Sequence, residues 1–379
     1  MLKRLYVDNY KCLVNFEAHF GEITLLLGPN GVGKSAVLDV VFAVRQLLSG
    51  VAKIDDARVF PTRTLTRWQS RPVQVFEMEA KLAEENFIYR LELEHDPDNR
   101  RARIQREVLH SNGRPLFEFK LERDAAGSPP SGLVQLYKDS HEKGPQFAGD
   151  WSESALARVA PTGSNRRLTS FLGFARRMLV CGLYPGAFVA EAATEDRLLL
   201  RDGSNFAAWY RHIFQERQDL VPAFSKALEQ VIDGFRGVRL AQVGTDTRAF
   251  LAVFQEGDSR FELRLDELSD GQRALIAVHA LVHLAAGQGY SLFLDEPDNY
   301  VALAEIQPWL LALEDACGQT VPQAVICSHH PELIDYFGRD RGLLLSRSAS
   351  GATLVQPVQT AADADGLKLS ELIARGWER

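Results

Sequence analysis

Four short stretches of this chain carry residue types suited to handling a phosphate. The first, "GPNGVGKS" from Gly28 to Ser35, fits G-x-x-x-x-G-K-[ST] without a mismatch. Glycines at this spacing let backbone N–H groups turn inward around phosphate oxygens at a helix N-terminus, where the peptide dipoles also favour negative charge. Asn30, Gly31, Val32, Gly33, Lys34, Ser35 and Ala36 form the expected cradle. The Lys34 ammonium is expected to reach the β and γ phosphates of a nucleotide, and the Ser35 hydroxyl to ligate Mg²⁺.

The second stretch, "SLFLDEPDN" from Ser291 to Asn299, is an apolar strand ending in adjacent carboxylates. Asp295 suits a carboxylate that holds Mg²⁺ through water, and Glu296 is then placed to orient or deprotonate an attacking water. The third, "CSHHPELID", puts His329 just past the next buried strand; neighbouring parallel strands end on one side, so His329 is expected near the γ-phosphate beside Glu296. His330 has the simpler role of capping the helix opened by Pro331. The fourth, "ELSDGQR" from Glu267 to Arg273, is polar, has glycine at its centre and precedes an apolar helical pattern. His279 and His283 stand four apart on that helix, a spacing that can bind metal, but no third ligand accompanies them and packing is the expected role.

The elements that must position these residues follow from periodicity. Residues 1–48 read as strand, turn, strand, strand, loop and helix, with the buried run "ITLLL" feeding the glycine-rich loop. From Pro72 to Arg123 period-two runs predict an antiparallel meander; Phe87, Tyr89, Leu91 and Leu93 share one face. "DAAGSPPSG", Asp124 to Gly132, reads as an exposed loop. Helical spacing dominates about 151–235, in "ESALARVA", "RLTSFLGFARRML", "SNFAAWYRHIF" and "PAFSKALEQVIDGF". Three short strands, Val238–Val243, Ala249–Gln255 and Arg260–Leu265, precede a helix, "SLFLDE", a helix, "AVICS", a short helix and a closing hairpin. The expected fold class is α/β, a largely parallel sheet with an antiparallel β meander and a helical insertion. The expected division is a lobe at 1–150 with the phosphate loop, the insertion at 151–235 and a second lobe at 236–379.

Bulk properties limit the function classes. Net charge is −7, against a protein that coats nucleic acid by bulk electrostatics. Local basic clusters exist at Arg100, Arg101, Arg103 and Arg106, at Arg166/Arg167 and at Arg176/Arg177, but charge runs are usually solvated faces. The four cysteines lack paired spacing, which suits a reducing cytosol and predicts neither disulfides nor zinc. The start lacks the apolar core of a signal peptide. The longest apolar stretch, Leu275 to Ala286, is interrupted by two histidines, so no membrane association is expected.

Taken in order, "GPNGVGKS", "LSDGQR", "SLFLDEP" and "SHH" resemble the Walker A, signature, Walker B with D-loop, and switch histidine of ABC-superfamily ATPase heads. The details "LSDG", "SHHPELI" and the opening "YVDNYKCLVNFEAHFGEITLLLGPNGVGKSAVLDVV" are similar to the RecF-like, OLD-like and SMC-like branch, with its AAA_21-type bacterial ATPases; "LRDGSNFAAWY" resembles a segment of that branch. The resemblance implies ATP and Mg²⁺ as cofactors and a head-to-tail homodimer formed around ATP. In it Ser269, Gly271 and Gln272 act on the ATP of the other subunit, and Asp298 lies in the loop crossing the interface. Lys11 matches the basic residue that approaches the nucleotide. Asp270 departs from the usual glycine, and is tolerable near phosphate only if it points away. Gln69 and Gln146 are the candidates for a glutamine loop. The resemblance further implies a separate effector protein such as a nuclease, in DNA repair or anti-phage defence, and possibly DNA. A transporter subunit and a nucleotide-gated scaffold with negligible turnover are the alternatives; the transporter reading lacks the expected spacing between glutamine loop and signature.

Overall fold

A computed structural model describes residues 1–96, 98–99, 101–122, 131–358 and 367–375. The loop expected at Asp124–Gly132 lies outside these residues up to 130, as does Arg100. The chain opens with β1 (Leu2–Asp8), β2 (Phe16–His19), β3 (Ile23–Leu27) and α1 (Lys34–Leu48). The meander follows as β4 (Val73–Leu82), β5 (Glu85–Asp96), β6 (Arg101–Ser111), β7 (Arg114–Glu122), β8 (Ser131–Tyr137) and β9 (Lys143–Gly149). Next come α2 (Arg166–Arg176), β10 (Met178–Cys181), β11 (Glu191–Ala192), α3 (Phe206–Glu216) and α4 (Val221–Glu229). After β12 (Phe235–Gln242), β13 (Arg248–Glu256) and β14 (Ser259–Arg264) the order is α5 (Asp270–His283), β15 (Ser291–Asp295), α6 (Leu303–Ala316) and β16 (Ala324–Cys327). The chain finishes with α7 (Pro331–Arg341), β17 (Gly342–Arg347), β18 (Thr353–Pro357) and α8 (Leu369–Ala374).

The chain divides into two compact units. One comprises Met1–Gly21, Gly28–Met178 and Leu343–Pro357; the other Glu22–Leu27, Leu179–Gly342 and Val358–Arg379.

The first unit is built on an antiparallel sheet in the order β2-β1-β4-β5-β6-β7-β8-β9. Alternation puts Phe87, Tyr89, Leu91 and Leu93 on the buried face, as their spacing predicts. Phe171 of α2 packs on that face, its ring 5.8 Å from Phe87 and 5.7 Å from Tyr89. The opposite face is a lattice of ion pairs: Arg4 with Glu17, Glu77 and Glu79, Arg90 with Glu77 and Glu92, and Arg103 with Glu94. Arg103 is thus neutralised across the sheet, and Arg167 is paired with Glu85 at 2.9 Å. A carboxyl interrupts the buried face. Glu107 is fully buried, and its Oε1 accepts from Tyr89 Oη at 2.9 Å and Ser154 Oγ at 2.6 Å.

The second unit contains the strand order β10-β15-β16-β3, in which β15, β16 and β3 are parallel. Parallel strands covered on both faces need apolar side chains at every position. "ITLLL", "SLFL" and "AVIC" are accordingly buried throughout. A second sheet has the order β11-β13-β12, with β14 on β13. Its neighbour α3 brings Phe206, Trp209 and Tyr210 into an aromatic cluster with Phe250.

Residues 151–235 are less uniformly helical than their periodicity suggests. "ESALARVA" yields only a 3₁₀ turn at Leu156–Arg158, because Val159 turns extended two residues before Pro161. "RLTSFLGFARRML" ends its helix at Arg176, and "MLVC" becomes the strand beside β15. A four-residue apolar run is too short to reveal which period it follows.

Candidate functional site

The phosphate loop begins one residue past β3. Gly28 has φ 136°, and a Cβ there would lie 2.3 Å from the Leu345 carbonyl oxygen. At Gly33, φ is 117° and a Cβ would meet Cys12 Sγ at 2.7 Å and Thr353 Oγ1 at 3.0 Å. Only glycine fits both positions, for conformational and steric reasons together. Gly33 also caps α1 without contributing a side chain, so no side-chain oxygen competes for the first-turn N–H groups.

Two residues of the closing hairpin brace the loop. Thr353 Oγ1 donates to Val32 O at 2.6 Å, and Arg347 Nη2 donates to Gly31 O at 2.5 Å. Lys34 is buried, and its ammonium donates to Gly28 O at 2.8 Å and Pro29 O at 3.3 Å. It is held inside the concavity of the loop by two neutral carbonyls, a donor that an anion there would draw away. Ser35 is exposed, whereas Val32 and Ala36 are buried beneath the loop, and Asn30 and Gly31 form its exposed tip. Lys11 has a left-handed backbone at φ 51° and lies 2.5 Å from Asp39 of α1. Its charge is thereby tied to the flank of the helix that follows the loop.

In the second unit, register aligns three strand ends. Asp295 pairs with Cys327, and Cys327 with Leu26, so β15, β16 and β3 finish level. Beyond β15 the chain turns sharply at Glu296, which has φ 48°. A non-glycine residue in that region costs about 1–3 kcal/mol and persists only where neighbours enforce it. Here the Glu296 N–H donates to Cys327 O at 2.8 Å, and Asn299 Nδ2 donates to Glu296 Oε2 at 2.7 Å. The carboxylate is therefore aimed by a main-chain turn and steered by Asn299. Asp295 lies 3.9 Å from Arg201 Nη2.

Past β16, Ser328 is buried and its Oγ accepts from the His330 N–H at 2.9 Å. His330 Nδ1 accepts from the Glu332 N–H at 3.2 Å, which makes it the cap of α7. His329, two residues past the strand, is exposed. Asp298 is buried rather than projecting. Burial pushes its carboxyl up, a hydrogen bond with Ser328 opposes that, and its Oδ1 finds no hydrogen-bond partner among the described residues.

The "LSDGQR" stretch forms the N-terminus of α5. Ser269 Oγ accepts from the Gln272 N–H at 3.2 Å while Gln272 Oε1 accepts from the Ser269 N–H at 3.1 Å, a reciprocal capping box. Asp270 is drawn aside by Arg273 at 3.0 Å, and Arg273 is anchored on Pro185 O at 2.8 Å. The departure from glycine at 270 is accommodated by this pairing. A Cβ on Gly271 would stand 3.0 Å from Tyr300 O, so the glycine admits the turn that follows Glu296. On the same helix the rings of His279 and His283 stack 5.8 Å apart and 2° from parallel. Burial pulls His279 down to about 4, and neither of its ring nitrogens has a partner among the described residues.

The two glutamine-loop candidates differ in setting. Gln69 accepts from Arg71 Nε at 3.1 Å, and Gln146 lies on β9 at the edge of the meander. Sequence reasoning assigned no role to Arg201, Asn299, Arg347 or Thr353. Asn299 and Arg201 stood inside quoted motifs; Arg347 and Thr353 are more than 300 positions from the loop they brace.

The cradle fits the phosphates of a nucleotide: Gly28 and Gly33 leave no room for side chains, and Ser35 offers a hard oxygen donor of the kind magnesium takes; in the second unit Asp295 offers another. No described helix is long and apolar enough to cross a membrane.

Among solved structures, the fold is similar to that of an Smc head domain with an extended coiled coil bound to the C-terminal domain of ScpA, from Pyrococcus furiosus. That match has a TM-score of 0.56 at 12% identity and covers 100% of this chain and 98% of the other. An SmcHead bound to the C-winged helix domain of ScpA gives 0.54 at 14% identity, covering 94% of this chain and 98% of the other. The SMC head domain from Thermotoga maritima matches at 0.48 with 16% identity, over 95% of this chain and 99% of that one. At these identities the likeness to the first two concerns fold alone: an α/β P-loop head of ABC and SMC type. The OLD nuclease of Thermus scotoductus is 44% identical over 41 residues, which is 11% of this chain and 8% of that protein. Residues 23–335 match the family described as "AAA domain, putative AbiEii toxin, Type IV TA system". With "GPNGVGKS", "LSDGQR" and "SLFLDE" all inside that span, this chain belongs to the AAA_21 family of P-loop ATPase domains.

Proposed function

We propose that this chain binds and hydrolyses ATP, dimerises head to tail around two ATP molecules, and uses that closure to gate a separate effector. The single observation that carries the reading is the register of β3, β16 and β15. It ends three strands level, so that the chain leaves β3 before Gly28, β15 before Glu296 and β16 before Ser328 at one edge of the sheet. Ligands of open α/β sheets bind at the carboxyl ends of the strands.

In this reading the loop amides and Lys34 bind the phosphates, and Ser35 and Asp295 hold Mg²⁺. Magnesium, held there, would supply positive charge to offset the negative charge on the phosphates. Glu296, held in its turn by Asn299, orients the attacking water and accepts its proton; His329 contacts the γ-phosphate. Ser269, Gly271 and Gln272 serve the ATP of the opposite subunit, and Asp298 buttresses the turn at the interface. Engaging that nucleotide requires the Ser269–Gln272 capping box to open or share its hydroxyl. The short OLD nuclease match and the AbiEii-type family favour a nuclease or other toxic effector and a role in defence or DNA repair.

The test compares wild type with Glu296→Gln. Wild type is expected to release phosphate from ATP. The variant is expected to bind ATP, hydrolyse it at least about a hundredfold more slowly, and double in mass by light scattering when ATP is added. Normal turnover by the variant removes Glu296 from the reaction. ATP-driven doubling without turnover in wild type supports a nucleotide-gated scaffold.

A further inference from the structure

The segment "LRDGSN" has no place in the four phosphate-handling stretches, yet one of its residues stands at the Walker B carboxylate. Arg201 Nη2 lies 3.9 Å from Asp295 Oδ2, and both side chains are partly exposed. The position of Arg201 is set by backbone bonds. Its carbonyl accepts from the Gly182 N–H at 2.8 Å, and the Asp202 carbonyl accepts from the Tyr184 N–H at 2.9 Å. These rungs extend from the end of β10, the strand beside β15. At Gly182 a Cβ would lie 3.5 Å from the Asp295 Cβ, so the rung lies directly against the carboxylate. Gly203 then reverses the chain at φ 76°, its N–H bonded to Leu200 O at 3.0 Å, with Phe188 filling the space where a side chain would go. Two main-chain rungs and a turn thus deliver one guanidinium to one carboxylate.

We propose that Arg201 is a positioning residue that holds the charge of Asp295 in the nucleotide-free chain and yields that carboxylate to Mg²⁺ when nucleotide binds. The inference rests on the reading of Asp295 as a magnesium-binding carboxylate. Its physical basis is competition: a guanidinium and a divalent cation both require the same oxygens, and they repel one another. An ion pair this exposed is weak, so it aligns the carboxylate without blocking the metal. Displacing Arg201 would also release its side chain from the end of β15.

The measurement is the Mg²⁺ concentration that gives half-maximal binding of the fluorescent nucleotide mant-ADP, titrated from EDTA. Arg201→Gln is expected to lower that concentration about three- to tenfold, because the competitor is removed while the backbone rungs remain. Arg201→Lys, which keeps the charge, is expected to stay within about twofold of wild type. In parallel, Asp295→Asn is expected to raise the Mg²⁺ requirement by at least about tenfold. If Asp295→Asn does so but Arg201→Gln leaves the requirement unchanged or raises it, the role of Arg201 is overturned and Asp295 keeps its assignment. If Asp295→Asn has no effect, the assignment of Asp295 fails and the inference falls with it.

Discussion

Glu107 offers a quantitative test of how the meander is held to the segment that follows it. Its carboxyl is fully buried in the face that carries Tyr89, and burial pushes it from 4.5 up to about 7, partly offset by hydrogen bonds from Ser154 and Tyr89. The unfolded chain therefore releases this proton near pH 4.5 and the folded chain only near 7. Between those values rising pH favours unfolding, so the stability that Glu107 contributes is fully present below 4.5 and lost as pH rises through 7. Integrating proton release from pH 5 to pH 8 gives a loss of about 2–3 kcal/mol. Because the group is enclosed, no discount for solvent screening applies. Glu107→Gln keeps an oxygen that can accept from both hydroxyls and removes the ionisation. Any fixed cost of its amide nitrogen is the same at both pH values. Urea unfolding of wild type and variant at pH 5 and pH 8 isolates the effect: the variant should gain about 2–3 kcal/mol relative to wild type between the two. An equal difference between the proteins at both pH values would refute the reasoning.

Three further outcomes are expected. Gly33→Ala forces a Cβ to within 2.7 Å of Cys12 Sγ at φ 117°, and should cost about 2–3 kcal/mol of thermal stability together with tight nucleotide binding; unchanged melting and affinity would contradict the tight packing of the loop. Ser269→Ala removes the cap of α5 and should destabilise the chain by about 1 kcal/mol even without nucleotide, as read by urea unfolding. His279 is held near 4 by burial against an unfolded value of 6.5, so its neutral form is stabilising above 6.5 and that contribution is lost as pH falls towards 4. His279→Met should therefore flatten the fall in melting temperature between pH 7 and pH 5.

What the sequence revealed depended on the range of the interaction. The phosphate loop and the buried strands were legible because each is decided within about ten residues: glycine spacing in one case, unbroken apolar runs in the other. The meander was equally plain, since Phe87 to Leu93 alternate over a full strand. The braces of the loop left no such trace. Arg347 and Thr353 are ordinary hairpin residues until β17 and β18 bring them to Gly31 and Val32. The strand "MLVC" was hidden by its brevity and by the helix immediately before it. "LSDGQR" was legible only as the pattern that resembles a signature; its Ser-x-x-Gln spacing is also a helix capping box, which went unread until the structure showed it, and both roles use the same hydroxyl. The turn at Glu296 could not be foreseen, because nothing in "DEPDN" specifies a left-handed glutamate.

The most direct measurement is the binding of ATP with Mg²⁺ to wild type and to Lys34→Ala, by calorimetry, with the fold of each checked by circular dichroism. Lys34 already lies inside the loop against Gly28 and Pro29 carbonyls, so the loop is expected to keep its shape when the side chain is lost while the charge facing the β and γ phosphates disappears. The predicted result is saturable binding by wild type, one ATP per chain, and affinity lower by about a hundredfold or more in the variant. Affinity within about twofold of wild type in a folded Lys34→Ala chain would contradict the claim that this loop binds the phosphates of ATP.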